Sequence, residues 1–124
     1  MFDIRGRSVR TAVVVLVADD SVAVRRLLSA RLRRDGHEVR EAPDGYEAWQ
    51  AIEAEVPDLL IVDDVLPGLS GVELVQLLSA RPAAASVRIA FLVEYDAGLR
   101  RAAEAGLPGS AVIRKPFDLD ELAL

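Results

Sequence analysis

This chain of 124 residues has no cysteine, so neither a disulfide framework nor a thiolate metal site is open to it. Aromatic residues make up only 5%, so the 52% that is hydrophobic must build its core from alanine, valine and leucine. No apolar run approaches the length of a membrane span. The start carries Arg5, Arg7 and Arg10 and lacks the apolar stretch of a signal peptide, so a cytoplasmic location is expected. Positive charge is outweighed, at a net -5, which argues against the domain gripping nucleic acid. Lysine is nearly absent: Lys115 stands alone among fifteen basic side chains. The length fits one domain with one core, expected over residues 12–124 after a polar extension over 1–11.

Short apolar runs alternate with helical patterns. Val13 to Ala18 is apolar throughout and mostly β-branched, as in a strand covered on both faces. Val24, Leu27, Leu28 and Leu32 then recur at helical spacing, with Ser21 or Asp20 as cap and Gly36 as stop. His37 to Glu41 is a weak strand suited to a sheet edge. Asp44 and Glu47 form a capping-box pair before a helix with Ala48, Trp49 and Ile52. Asp58 to Asp63 and Arg88 to Val93 are further strands, separated by a helix through Leu74, Leu77 and Leu78. Ala97 to Ala105 is a poor helix containing Gly98, Ala111 to Arg114 a fifth strand, and Asp118 the cap of a short last helix. Such alternation predicts a doubly wound α/β sheet with its site at the carboxyl ends of the strands.

Those ends carry the chemistry. Asp19 and Asp20 close the first strand, Asp63 and Asp64 the third, and Lys115 follows the fifth. Crowded carboxylates repel unless a cation sits among them. The pattern points to a divalent-metal site with one reactive aspartate and a lysine to meet an anion.

Val15 to Ser21, Pro57 to Asp63 running on to Pro67, Gly68 and Gly71, and Lys115-Pro116-Phe117 together resemble the receiver domain of two-component response regulators. The resemblance covers about Val13 to Leu124. It implies a flavodoxin-like sheet of five parallel strands, order 2-1-3-4-5, with five helices, the last one short. It also implies that Asp63 accepts a phosphoryl group from a sensor histidine kinase or phosphotransfer domain. Asp20, Asp63 and the backbone carbonyl of Val65 would hold Mg²⁺, with Asp19 acting through water. Lys115 would pair with Asp63 at rest and with a phosphoryl oxygen afterwards, directed by a cis Lys115-Pro116 bond. An output domain or effector protein and a homodimer are compatible partners; a membrane is not expected.

Three positions depart from that family. Val93 stands where a hydroxyl residue usually meets the phosphoryl group, Glu94 where a small residue usually admits the donor, and Val112 where an aromatic ring usually reports the switch. Their absence predicts slow phosphorylation and weak coupling to the output face. It also keeps open a pseudo-receiver, a protein-interaction module independent of phosphorylation. An aspartate-nucleophile phosphatase is disfavoured, because neither aspartate pair has the required Asp-x-Asp spacing.

Other polar residues have plainer expectations. Asp64 is expected in a solvent-facing loop, His37 in a surface turn and Tyr95 half-exposed. Trp49 is expected in the core, and the arginines beside the first helix's apolar stripe on a solvated face. Glu94 is divided between pointing to water and overhanging the site.

Overall fold

The computed structural model describes residues 12–119, so the extension over 1–11 and the short last helix lie outside the described residues. Five strands pair in parallel: β1 Val14–Ala18, β2 Glu38–Ala42, β3 Leu59–Asp63, β4 Arg88–Val93 and β5 Val112–Arg114. Their order is β2-β1-β3-β4-β5, as expected, with β2 at an edge. The connections carry α1 Val22–Arg34, α2 Gly45–Ala54, α3 Gly71–Ser79 and α4 Asp96–Glu104.

The continuous apolar runs follow from cover on both faces. The pleat then sorts the side chains. Leu16, Leu60, Val62 and Phe91 pack with Ile52 of α2, Leu74 and Leu78 of α3 and Ala102 of α4. Val15, Val17, Ile61 and Leu92 pack with Leu28 and Leu32 of α1 on the opposite face. Phe91 heads the large, fully buried side chains; truncating such a residue to alanine costs about 3–5 kcal/mol. Leu27, counted in the α1 stripe, instead faces outward at 57% exposure.

Caps fix where the helices start and stop. Ser21 Oγ accepts from the Val24 N–H at 3.2 Å, and Asp44 Oδ1 from the Glu47 N–H at 2.8 Å. The reciprocal capping box forms at Ser70 and Glu73, which is where both of its bonds are made. Gly36 (φ +94°) ends α1 in the left-handed turn that glycine tolerates.

Two aromatic side chains differ from expectation. His37 is buried, because its Nδ1 accepts the Val13 N–H at 3.1 Å and ties the α1–β2 turn to β1. Trp49 is only half-buried: it lies against the core, with the Arg81 guanidinium 5.4 Å from its ring centre.

Candidate functional site

Strand parity assembles the site. Asp19, Asp63 and Lys115 each follow an α1-side core residue (Val17, Ile61 and Ile113) by two positions, so all three face the α1 side. Register aligns the strand ends, with Ala18 beside Val62, Asp63 beside Leu92 and Val93 beside Arg114.

Carboxylate oxygens of Asp19, Asp20 and Asp63 lie within 4.8 Å of one another. Asp19 is fully buried, Asp63 is 7% exposed and Asp20 is open to solvent. Lys115 Nζ donates to Asp19 Oδ2 at 2.9 Å and lies 3.3 Å from Asp63 Oδ1. The ammonium thus bridges two carboxylates and is closer to Asp19, a contact the sequence did not suggest. The Lys115-Pro116 peptide is cis. Asp19 is held on two further sides: its N–H donates to Ala42 O at 3.1 Å, and its Oδ1 accepts the Ser21 N–H at 2.9 Å.

This crowding sets the electrostatics. Burial, reinforced by the charge of Asp19, pushes the Asp63 carboxyl up to about 6, although Lys115 opposes the rise. Burial pulls the Lys115 ammonium down, but the Asp19 hydrogen bond and the charges of Asp63 and Asp19 outweigh it, and the net shift is upward. One ammonium among three carboxylates leaves the cluster short of positive charge.

Asp64 corrects the expectation of a solvent-facing loop residue. It is only 5% exposed, and Arg101 of α4 grips it with two parallel bonds, Nε to Oδ1 at 3.0 Å and Nη2 to Oδ2. Gly98 lets α4 come this close, since a Cβ there would sit 2.8 Å from Asp64 Oδ2 and 3.1 Å from Val93 Cβ. The missed signal was parity: Asp64 follows Leu60 and Val62 on the face that α4 covers.

The α1 arginines also divide. Arg26 and Arg34 are exposed as expected. Arg25 is not: its side chain is 15% exposed, its Nη1 donates to Asp19 O at 2.7 Å and its Nε faces Glu41 Oε1 at 3.5 Å.

Val93 is fully buried and Val112 half-buried beside Phe91. Glu94 is exposed, yet it lines a cleft of about 320 Å³ together with Lys115, Val24, Leu27, Pro116 and Phe117. Tyr95 is more exposed than expected, at 64%. Val65 stands outward in the β3–α3 loop, which is fastened by the Gly71 N–H to Asp64 O at 3.1 Å and the Gly45 N–H to Pro67 O at 3.0 Å. Among the described residues no helix is long and apolar enough to cross a membrane.

A doubly wound sheet with an acidic cluster and one lysine at its carboxyl edge defines a class of protein. Residues 15–124 match the family model of the response regulator receiver domain, and the chain belongs to that family. It is 35% identical over 111 residues to the response regulator MprA of Mycobacterium ulcerans, covering 90% of this chain and 47% of that protein. The chain thus spans about half the length of the curated relatives it matches. Among solved structures it resembles the chemotaxis response regulator CheY4 of Vibrio cholerae, with a TM-score of 0.81, 27% identity, and 90% and 93% of the two chains covered. It is equally similar in fold to the receiver domain of a signal transduction histidine kinase from Syntrophus aciditrophicus, with a TM-score of 0.81, 25% identity, and 90% and 85% covered. Receiver domains of this family are signalling modules.

Proposed function

We propose that this domain accepts a phosphoryl group on Asp63 from a histidine kinase or phosphotransfer partner, as the receiver of a response regulator or hybrid kinase in the cytoplasm. The observation that carries this is the convergence of Asp63 with Asp19, Asp20 and Lys115 at one sheet edge. Family membership and this retained cluster favour phosphoacceptance over the pseudo-receiver.

The carboxylate cluster fits Mg²⁺: hard oxygen donors, partly open to water, with excess negative charge. Asp20, Asp63 and the Val65 carbonyl would hold the ion, with Asp19 behind them. When bound, Mg²⁺ neutralises charge on the transferring group. Asp63 ionises above about pH 6 and presents a carboxylate nucleophile. An Asp63 oxygen forms the new bond to phosphorus while the bond from phosphorus to the donor's imidazole nitrogen breaks, and that nitrogen regains a proton from water. Lys115 meets a phosphoryl oxygen as a compact point charge with three rotatable donors, which does not demand the planar geometry of a guanidinium. The Asp19 hydrogen bond holds the lysine at this edge before transfer.

Incubation with a small phosphodonor and Mg²⁺ should add one phosphoryl mass to the intact protein and none to Asp63→Asn. An unmodified wild type under all conditions would restore the pseudo-receiver. Val93 has no hydroxyl to donate to the phosphoryl group. Val93→Thr is therefore expected to speed phosphorylation roughly tenfold to a hundredfold, the worth of one hydrogen bond to a charged group acting in the transition state. An unchanged rate would place the slow step elsewhere, with Glu94 the next position to vary.

A further inference from the structure

We propose that Arg25 is a positioning residue for the divalent cation, acting through the peptide that leads into Asp20. This rests on the metal-assisted phosphoacceptor reading above. Asp20 is the exposed member of the carboxylate cluster, so packing does not hold its side chain. Its two flanking peptides are held instead. The Asp20–Ser21 peptide is fixed by its N–H, donated to Asp19 Oδ1 at 2.9 Å. The Asp19–Asp20 peptide is fixed by its carbonyl, which accepts Arg25 Nη1 at 2.7 Å. Those two planes set the direction in which Asp20 projects from the backbone. Glu41, one residue before the end of β2, faces Arg25 Nε at 3.5 Å and orients the guanidinium. Arg25 is one helical turn past the N-cap Ser21, which places its side chain back over the β1–α1 junction.

Charge and geometry make opposite predictions here. As a cation beside an acidic cluster, Arg25 would repel Mg²⁺, and its removal would tighten binding. As a device that aims Asp20, it favours Mg²⁺, and its removal weakens binding. Outer-shell groups that orient metal ligands are worth about 10–100-fold in affinity when lost. Arg25 acts through the backbone rather than on a ligand atom, so the lower end, about tenfold, is expected.

The experiment is Mg²⁺ titration calorimetry on the whole chain as wild type, Arg25→Met, Arg25→Lys and Glu41→Gln, with amide NMR spectra of the metal-free proteins. Arg25→Met should bind about tenfold more weakly and shift the Asp20 and Ser21 amides before any metal is added. Arg25→Lys, which keeps the charge and one donor, should recover part of the affinity. Glu41→Gln leaves Arg25 in place and should weaken binding about twofold, which gives a reading even where Arg25→Met does not fold. Unchanged or tighter binding in Arg25→Met, or in Glu41→Gln where that is the folded variant, would overturn the positioning role. No binding by the wild type would instead overturn the metal reading on which it rests.

Discussion

Asp63 and Asp64 are neighbours at the end of β3 with the same chemistry and opposite circumstances. Asp63 turns toward α1, where three carboxylates crowd and one ammonium bridges only two of them, and its carboxyl is pushed up to about 6. Asp64 turns toward α4, where one planar guanidinium grips it through two parallel bonds. A strand's two-residue period is enough to separate them. On one face the charge is left poorly compensated and available; on the other it is fully paired, next to a glycine that lets the helix close over it. Charge compensation and anchoring are thus set by which side of one sheet a carboxylate occupies.

The comparison breaks most visibly on the anchored side. Arg101→Met leaves Asp64 buried beside α4 without its partner, and an unpaired buried carboxylate is strongly destabilising. The thermal midpoint should fall by about 5 °C or more. The double variant Asp64→Leu with Arg101→Met should recover most of the loss, because it removes the one buried charge of the pair, Asp64, while Arg101 is half exposed. Equal losses in the single and double variants would mean that α4 packing, and not the ion pair, holds this edge.

On the reactive side the sign is reversed. The Asp63 pKa is raised in the folded protein from its usual 3.8 to about 6, so the folded state binds this proton more tightly than the unfolded chain does. Its stabilising contribution is complete below about pH 4 and is lost as pH rises through about 6. At pH 7.5 the ionised carboxylate therefore opposes folding of the metal-free domain. A shift of about two units corresponds to roughly 3 kcal/mol at most, and screening near the pocket mouth reduces this to about 1–2 kcal/mol. Asp63→Asn should be more stable than the wild type by that amount at pH 7.5, as read from urea unfolding, and the difference should vanish near pH 4. A destabilised Asn variant at pH 7.5 would show that Lys115 compensates Asp63 fully.

The sequence exposed the reactive face more readily than the anchored one. The edge position of β2 and the limits of β4 follow from apolar runs bounded by turn residues, whereas the sheet order followed from the resemblance to receiver domains. Asp19, Asp20, Asp63 and Lys115 were legible because each sits where a strand ends, and strand ends of a parallel sheet share an edge. Three relations were hidden. Arg101 lies 37 residues from Asp64, and nothing local announces their pairing. Arg25 lies off the apolar stripe and looks solvated until the loop carbonyl beneath it is placed. His37 is polar and sits in a turn, but its ring accepts the N–H of Val13, just before β1, which only the folded sheet brings near. Apolar periodicity reports which side chains seek the core; it does not report which backbone groups need partners there.

The smallest expected effect lies farthest from Asp63. A phosphoryl group shifts the domain only as far as it interacts differently with two conformations. Val93 has no hydroxyl to draw inward, and Val112 has no ring to fill the space behind it. The Asp64–Arg101 pair and the close approach at Gly98 further hold α4 against β3 and β4. Beryllofluoride with Mg²⁺ should therefore move the amide NMR signals of residues 63–71 and 93–95 while leaving Val112 and α4 nearly unchanged. Arg101→Met should release α4, so that its signals begin to respond to beryllofluoride while Val112 stays still. Large cooperative shifts across both α4 and Val112 in the wild type would contradict this. They would mean that another element, such as Tyr95, an exposed aromatic two residues after Val93, couples Asp63 to that face.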